Sequence, residues 1–421
     1  MRLVAAVLLL AGSPLLAGGF AIQEQGAVGQ GRSFAGAAAQ WDDAQSQWAN
    51  PALLTQAAGG SLAGSVNTLF IRSAQADRGT TISNILGTRP VGGGDGGNPF
   101  APVVPVPSGA AALRVGPDTV IGVSLNSPFG LIVNYDAGWF GRYDSLRSKL
   151  NTYNLALSVA HRFGALSVGA GIDPQYINAE LTSALPNSLG AADGAQRLKG
   201  DDWSVGWHAG ATLDLGELRL AAAWRSGIRH RLKGQLAISG LSGPLAAGNR
   251  VVEAEAPIGL PATGSLAARW QVTPALALLT NLTWTQWSRF DAIRVVTAGG
   301  TTVQEQDYRD TISLAFGGDW RVDERWTLRA GVQRDETPTR DGLRTTRVPD
   351  GDRTWLSAGA TVEPAPGWRL SASYSHIFVS TEAIDRSEPF FAGTPLATTV
   401  AVRSSNSGGV DILGLSAAYA W

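Results

Sequence analysis

LGLSAAYAW, residues 413–421, is the stretch that decides the fold of this chain. Larger apolar residues alternate with small ones along the run, and the chain ends on an aromatic pair, Tyr419 and Trp421, that lies on one face. Alternation with a period of two predicts a β-strand. Aromatic side chains at a strand end suit the boundary between lipid and water. This terminus therefore favours a transmembrane β-barrel over a soluble β-sandwich.

The same alternation recurs along the chain. In the run from Trp326 to Val332, apolar Trp326, Leu328, Ala330 and Val332 alternate with polar or small residues. Periodicity alone cannot separate a barrel from a sandwich, but the predicted strands run to about a dozen residues, which is long for a sandwich. Tryptophans also lie near predicted strand ends, as in an interfacial girdle, at Trp203, Trp224, Trp270, Trp320, Trp326 and Trp368.

The connections between predicted strands are alternately short and long. The short ones have turn chemistry and lie at 115–118, 163–165, 214–217, 271–274, 322–325 and 364–367. The long ones lie at 73–106, 127–149, 185–200, 237–256, 297–306, 337–351 and 385–406. Six short and seven long connections join fourteen strands, with both ends of the array on the short-turn side. Short turns at one end and long loops at the other are typical of outer-membrane barrels.

Composition excludes several classes of protein. Hydrophobic residues make up 44% of the 421 residues, and the mean hydropathy is +0.02, too low for a helical membrane protein. The one long apolar run follows Arg2 and ends at Ala17, which predicts a cleaved export signal at residues 1–17. The absence of cysteine excludes disulfides, and a net charge of −1 argues against a nucleic-acid partner.

A Gly-, Ala- and Gln-rich segment separates the export signal from the first predicted strand. It reads GGFAIQEQGAVGQGRSFAGAAAQWDDAQSQWANPALL over residues 18–54. We interpret residues 18–57 as an N-terminal plug, the hatch, with helical structure, and residues 58–421 as the barrel. A general porin has no evident use for such a segment.

Motifs in the hatch and beyond it resemble the FadL/OmpP1/TodX-type family of outer-membrane long-chain fatty acid and hydrocarbon transporters. In the hatch these are the GF start, Glu24 with Gln25, the run from Gly29 to Ala39, Asp42-Asp43-Ala44 and Asn50-Pro51-Ala52. Beyond it they are SPFG at 127–130, GRY at 141–143, LPAT at 260–263, WTQWSRF at 284–290 and PDGDRTWLS at 349–357.

The resemblance implies an all-β fold: a monomeric fourteen-stranded barrel in the outer membrane, closed by the hatch. It further implies passive transport of hydrophobic molecules, fatty acids or hydrocarbons, through a side opening at a kink in the third strand. Implied partners are the hydrophobic ligand, outer-membrane lipid or lipopolysaccharide, and the barrel assembly machinery, for which Tyr419 and Trp421 resemble the recognition signal. The long loops differ most from those of the family. The identity of the substrate is therefore the property that the resemblance predicts least well.

Two motifs have a direct physical interpretation. Asn50-Pro51-Ala52 ends the hatch, either as a plain helix stop or as a latch, because Asn can hold neighbouring backbone groups and Pro cannot continue a helix. Ser127-Pro128-Phe129-Gly130 falls late in strand three, where Pro lacks a ladder donor and Gly permits unusual dihedral angles. Apolar alternation continues beyond it, which favours a kink over a strand end.

Two external loops carry apolar residues that predict a capture surface for ligand. The candidates are Leu185, Leu189, Leu236, Ile238, Leu241 and Leu245. The alternative is that these loops pack on each other, and both can hold. Cations near loop ends are interpreted as contacts with anionic outer-leaflet lipid, or as solvated ends, rather than ligand clamps: Arg72, Arg78, Arg89, Arg229, Arg231 and Lys233.

No sequence pattern predicts an enzyme, a cofactor or a metal site. The four histidines lack metal-ligand spacing, and nucleotide-binding and nucleophile-elbow motifs are missing. A hydrolase whose Ser and His come together only in the folded structure stays an open alternative. Asp350 and Asp352 could hold a divalent cation, although Asp-Gly-Asp is a common turn. The alternative to a transporter is a structural or adhesive barrel, or a general porin.

Overall fold

Hydrogen bonds between the first and last strands close the sheet into a barrel. The computed structural model describes residues 18–188 and 191–421, and the predicted fourteen-stranded antiparallel barrel is confirmed. The first seven strands are β1 (Gly60–Asp77), β2 (Val104–Arg114), β3 (Thr119–Asn126 and Gly130–Asn134), β4 (Arg147–Phe163), β5 (Leu166–Leu185), β6 (Gly194–Leu215) and β7 (Leu218–Arg225 and Arg229–Ser239).

The other seven strands complete the cylinder. They are β8 (Arg250–Gly259 and Thr263–Gln271), β9 (Leu276–Thr285 and Ala292–Thr297), β10 (Gly300–Glu305 and Thr311–Arg321), β11 (Trp326–Asp335), β12 (Arg353–Val362), β13 (Trp368–Phe390) and β14 (Thr398–Ala420). An extra hairpin, Thr81–Asn84 with Gly87–Pro90, lies between β1 and β2. It pairs with residues 399–401 of β14.

The wall is apolar outside and polar inside, as in transmembrane barrels. In β14, Leu413, Leu415 and Tyr419 are exposed, whereas the alternating Asn406 and Ser416 are buried towards the lumen. The six tryptophans predicted for the girdle are all exposed on the outer surface. None of the helices in the described part of the chain is long and apolar enough to cross a bilayer.

Short turns and both ends of the barrel lie on the same side. Gly60 and Trp421 exchange backbone hydrogen bonds of 2.9 and 3.0 Å, and β4 joins β5 through only Gly164 and Ala165. At the opposite end, the loops predicted at 185–200 and 237–256 are shorter, spanning 186–193 and 240–249. The loop predicted at 297–306 is a tight hairpin turn between β9 and β10. The strands are longer than predicted because cross-strand pairing continues beyond the predicted ends and satisfies the backbone N–H and carbonyl groups there.

Residues 18–57 lie against the inner face of the barrel and are almost entirely buried. They form a one-turn α-helix, Ala27–Gln30, and two 3-10 helices, Ala44–Trp48 and Pro51–Gln56. Small residues permit the close approach: a Cβ on Gly331 of the wall would lie 2.1 Å from the Arg32 carbonyl oxygen.

Candidate functional site

Strand β3 is interrupted at Ser127-Pro128-Phe129 by a bulge. Asn126 pairs with Asn154 before the interruption and Gly130 pairs with Asn151 after it. Three residues of β3 therefore oppose two of β4, which bends the strand. The Phe129 N–H donates to the Thr152 hydroxyl at 2.9 Å, and the Thr152 N–H donates to the Phe129 carbonyl at 3.1 Å.

Strands β2 and β3 stop pairing at the same level. Their last paired residues are Gly109 and Leu125. Beyond that point, β2 continues to pair with β1 as far as Val104. Pro105 and Pro107 lie in this stretch, and a proline has no N–H to expose at an edge. The ladder between β2 and β3 is thus absent over one half of β2.

The N-terminus of the hatch pairs with the edge of β3 in place of β2. The Ile22 N–H donates to the Pro128 carbonyl at 2.8 Å, and the Gly130 N–H donates to the Phe20 carbonyl at 2.9 Å. The Gln25 side chain donates to the Ser127 carbonyl at 2.9 Å and accepts from the Ser127 N–H at 3.2 Å. Backbone groups that would otherwise be unpaired at membrane depth therefore have partners.

Residues at the hatch N-terminus line two cavities. The larger, about 260 Å³, is lined by Ala21, Phe129, Trp287, Trp48 and many polar residues. The smaller, about 70 Å³, is mostly apolar and is lined by Phe20, Leu131, Leu150, Leu181, Leu232 and Phe290 among others.

Phe20 lies between aromatic side chains that line the two cavities. Its ring centroid is 4.9 Å from that of Trp287, 5.1 Å from that of Phe290 and 6.1 Å from that of Phe129, each edge-on. Trp287 and Phe290 flank the break in β9, where a 3-10 turn, Trp287–Arg289, interrupts the strand.

A buried arginine, Arg347, lines the smaller cavity together with the polar Gln306 and Thr345 and the exposed Lys199. Arg347 is 6% exposed and donates to the Ser148 hydroxyl at 3.0 Å and the Thr182 carbonyl at 3.2 Å. Its Nε atom has no hydrogen-bond partner, and neither does the Nε2 atom of Gln306 on the same wall. None of the described carboxylates forms an ion pair with Arg347. The end of this cavity can therefore accept an anionic group.

Asn50 connects the hatch to itself and to the wall. Its side-chain oxygen accepts from the Ala52 N–H at 2.9 Å, which caps the 3-10 helix that begins at Pro51. Its amide nitrogen donates to the Ala38 carbonyl at 2.8 Å and to the Ala211 carbonyl of β6 at 3.2 Å. Asn50 therefore does more than stop a helix.

Buried ion pairs hold the middle of the hatch. Arg32 pairs with Asp42 at 2.6 Å and with Asp319 of β10 at 3.5 Å. The Arg225 guanidinium of β7 lies 3.6 Å from the Trp48 ring centroid and donates to the Trp48 carbonyl at 2.8 Å. Removing one member of a buried pair leaves a charge uncompensated, so such pairs resist separation.

A Ser-His-Asp hydrogen-bond chain lies in the wall beside Arg225. His208 Nδ1 is 2.8 Å from Asp173, and His208 Nε2 is 2.9 Å from the Ser158 hydroxyl. Asp173 and His208 line the larger cavity, whereas Ser158 is not among its lining residues. Asp173 also forms an ion pair with Arg225. The chain thus orients Arg225 towards Trp48 of the hatch.

Glu24 is the unpaired acid of the hatch. Its side chain is fully buried, and neither carboxyl oxygen has a hydrogen-bond partner. Burial raises the pKa of Glu24 to about 7, although the Arg353 guanidinium opposes the shift. Burial likewise raises the pKa of Asp43 to about 6.

The predicted capture loops contact each other. Leu185 and Leu241 are buried, Leu245 is half-buried, and Leu236 and Ile238 lie within β7 rather than in a loop. Leu189 lies outside the described residues. The Ser188 hydroxyl donates to the Ser242 carbonyl at 2.7 Å, and Asn187 donates to the Gly240 carbonyl at 2.9 Å. Packing between the loops, the predicted alternative, is present.

The remaining candidates have structural partners. Tyr419 and Trp421 stack with ring centroids 5.9 Å apart and are exposed on the outer surface. Asp350 is buried, forms an ion pair with Arg353 and accepts from the Gly19 N–H at 2.8 Å. Asp352 pairs with Arg334 at 2.6 Å. Among the described residues, no cluster of acidic, His or Cys side chains is suited to hold a metal ion.

Sequence reasoning missed Arg347 and the role of Gln25. Arg347 lies among several arginines in a long loop, and nothing in its spacing distinguishes a buried cation from a solvated one. Gln25 bonds to Ser127, 102 residues further along the chain, and such a contact leaves no local signal in the sequence.

Known proteins resemble this chain over most of its length. A model of the family described as outer membrane protein transport protein (OMPP1/FadL/TodX) matches residues 7–421. The long-chain fatty acid transport protein of Escherichia coli K12 is 27% identical over 386 residues, covering 82% of this chain and 84% of that protein. The 47 kDa outer membrane protein of Pasteurella multocida is 29% identical over 402 residues, covering 89% and 90%. The crystal structure of a Pseudomonas aeruginosa FadL homologue superposes with a TM-score of 0.86 at 25% identity, covering 96% and 99%.

Proposed function

This chain belongs to the outer membrane protein transport protein family (OMPP1/FadL/TodX), and we propose that it carries long-chain fatty acids across the outer membrane by passive diffusion. Like its relatives, it is an outer-membrane transport protein and not an enzyme. Long-chain fatty acid transport is the stated role of the Escherichia coli relative. For this chain, the substrate class rests on its own pocket.

The buried guanidinium of Arg347 supports a carboxylate ligand. It lies at the wall of an apolar cavity and forms no ion pair with the described residues, although Asp144 and Glu388 act on it through space. Burying a charge without a directly bonded counter-charge is costly, and a bound carboxylate would supply one. The apolar lining suits an alkyl chain, which gains free energy by leaving water. A neutral hydrocarbon would use the lining but leave Arg347 unpaired.

The proposed route begins at the external loops and ends in the membrane. Ligand is captured near Leu236 and Ile238 at the end of β7 and Leu245 in the loop that follows, and then enters the smaller cavity. Displacement of Phe20 joins this cavity of about 70 Å³ to the one of about 260 Å³. The ligand leaves sideways at Ser127 to Gly130, where β2 and β3 are unpaired. A molecule that exits through the wall avoids re-entering water.

The parts of the chain take matching roles in this proposal. Residues 1–17 act as the export signal, residues 18–57 as the hatch that closes the lumen, with Asn50-Pro51-Ala52 as its latch, and residues 58–421 as the barrel. Tyr419 and Trp421 present the signal read by the barrel assembly machinery. A general porin or adhesive barrel would need neither a buried hatch nor a broken third strand.

Binding of oleate and of methyl oleate to the purified protein tests the substrate class. The two ligands share an alkyl chain and differ in charge. We expect oleate to bind at least about tenfold more tightly, since a charge-assisted hydrogen bond contributes about 1.5–3 kcal/mol. Arg347→Gln should abolish the difference, whereas Arg340→Gln, which changes an exposed loop arginine paired with Asp307, should retain it. Equal binding of the two ligands by the parent would refute fatty acid preference and favour a hydrocarbon.

A further inference from the structure

A basic patch faces lipid on the outer surface of strands β4 to β7. It consists of Arg147 and Lys149 on β4, Arg197 and Lys199 on β6, and Lys233 on β7. Cross-strand pairing places Lys149 and Lys199 on either side of Glu180 of β5, and Arg147 and Arg197 on either side of Thr182. Lys233 pairs with Asp201. These positions alternate with buried, inward-facing residues, so the side chains point away from the lumen.

The patch carries an excess of positive charge. Glu180 and Asp201 lie within it, and Glu255 of β8 lies opposite Lys233 at its edge, where it pairs with Arg231; the patch itself has five cations. Glu180 pairs with Arg197 at 2.8 Å. In the described part of the chain, Arg147, Lys149, Lys199 and Lys233 have no carboxylate within ion-pair distance. Like charges this close repel one another unless an anion lies between them.

Two outward-facing cations on the opposite wall are neutralised. Arg334 on β11 pairs with Asp352 at 2.6 Å, and Arg403 on β14 pairs with Asp385 at 3.3 Å. Both arginine side chains are more than half exposed, at 56% and 53%. These two arginines therefore provide paired cations for comparison with the cations of the patch.

The depth of the patch is set by an aromatic row directly beneath it. Tyr153 on β4, Tyr176 on β5 and Trp203 on β6 contact one another, with ring centroids 6.3 and 5.3 Å apart. Such rows lie at the boundary of the hydrocarbon layer. Lys149 and Lys199 are four residues further towards the long loops, roughly 10 Å higher for a strand rise of 3.3 Å and a tilt of about 40°. This is the level of outer-leaflet headgroups.

We propose that this patch binds the phosphate groups of an outer-leaflet glycolipid, lipopolysaccharide. The site faces lipid at headgroup depth, its charge complements a phosphorylated headgroup, and the aromatic row below it contacts the acyl chains. Arg147 and Lys149 lie on the part of β4 that pairs with Gly130–Asn134 of β3. A bound glycolipid would therefore stand beside the interrupted strand. The proposal depends on the barrel lying in the outer membrane and not on which substrate it transports.

Binding of defined lipids to the full-length, detergent-solubilised protein tests the proposal. The probes are bisphosphorylated lipid A, the same lipid A with both phosphates removed, and phosphatidylglycerol, each measured by native mass spectrometry and by the shift in thermal unfolding. We expect bisphosphorylated lipid A to bind at least tenfold more tightly than either other lipid. The double variant Lys149→Gln/Lys199→Gln should lose that preference.

The matched control is Arg334→Gln/Arg403→Gln, which removes two outward cations from the opposite wall. It should change binding less than twofold. Equal losses in the two double variants would show a response to net charge alone and overturn the proposal. Equal affinity of the parent for phosphatidylglycerol, or for dephosphorylated lipid A, would overturn it as well. The comparison of the three lipids needs only the parent protein. It therefore tests the proposal even where a variant folds poorly.

Discussion

The Glu24 carboxyl group makes the packing of the hatch sensitive to pH. Its pKa is raised by burial to about 7 from an ordinary value of 4.5, so the folded state favours the protonated form. A group whose pKa is raised on folding stabilises the folded state fully below its unfolded pKa, and this contribution falls as pH rises through the folded pKa. Asp43, with a pKa of about 6, acts in the same direction.

We therefore expect hatch packing to weaken between pH 4.5 and 7. In planar bilayers, ion-conducting openings of the parent should become at least about tenfold more frequent over this range, since one pKa unit corresponds to about 1.4 kcal/mol. The double variant Glu24→Gln/Asp43→Asn should show little pH dependence. An equally steep pH dependence in that variant would place the titrating groups elsewhere.

Asn50 tests whether one side chain holds the hatch to the wall. Asn50→Ala removes a helix cap and two donors to buried carbonyls, at a cost of about 2 kcal/mol. Spontaneous conductance should rise about tenfold or more. Asn249→Ala is the control. The Asn249 side chain also accepts from a backbone N–H and donates to a backbone carbonyl, both of Leu241, but it lies in an external loop. If both variants conduct like the parent, Asn50 is only a helix stop.

At the scale of elements, the final strand both closes the barrel and carries its aromatic end. Trp421 exchanges backbone hydrogen bonds with Gly60 and stacks on Tyr419. Deleting Trp421 removes an interfacial anchor together with the closing bonds, so the level of folded protein in the outer membrane should fall severalfold. Trp421→Phe, which keeps an aromatic ring, should stay near the parental level. Heat-modifiable protein at parental amounts after the deletion would exclude a role in assembly.

The elements also show what sequence can and cannot predict. The alternation in β14 and the turn chemistry at Gly164 act locally, so strand number and the short-turn side were predictable. Pro128 acts on the pairing of β3 through an equally local property, its missing backbone N–H. The pairing of β3 with Phe20 and Ile22 was not predictable, because it depends on β2 ending its ladder at Gly109, far away in sequence. The burial of Arg347 was likewise not predictable, because it depends on how the loops fold.

At the scale of the whole molecule, the hatch and the barrel separate into two structural layers. The ladder between β1 and β14 closes the barrel without residues 18–57, and the hatch contacts the wall through side chains and through the backbone bonds of Phe20 and Ile22 with β3. Deleting Gly19 to Leu54 should therefore leave a folded barrel with steady ion conductance, because only the short edge of β3 at Pro128 and Gly130 loses its backbone partners. Planar-bilayer recording measures this directly. A deletion variant that folds and is as silent as the parent would mean that the hatch does not occlude the pore.

Uptake through a straightened β3 tests the central claim, lateral exit at the interruption, most directly. Three residues of β3 oppose two of β4, so replacing Ser127-Pro128-Phe129 with the dipeptide Val-Thr restores a regular register. The control replaces Ser226-Gly227-Ile228, the break in β7, with strand-forming residues. We predict parental folding and oleate binding in both variants, with oleate uptake lost only when β3 is straightened. Parental uptake by the straightened β3 variant, inserted at parental levels, would contradict lateral exit and direct the ligand down the lumen to the periplasm.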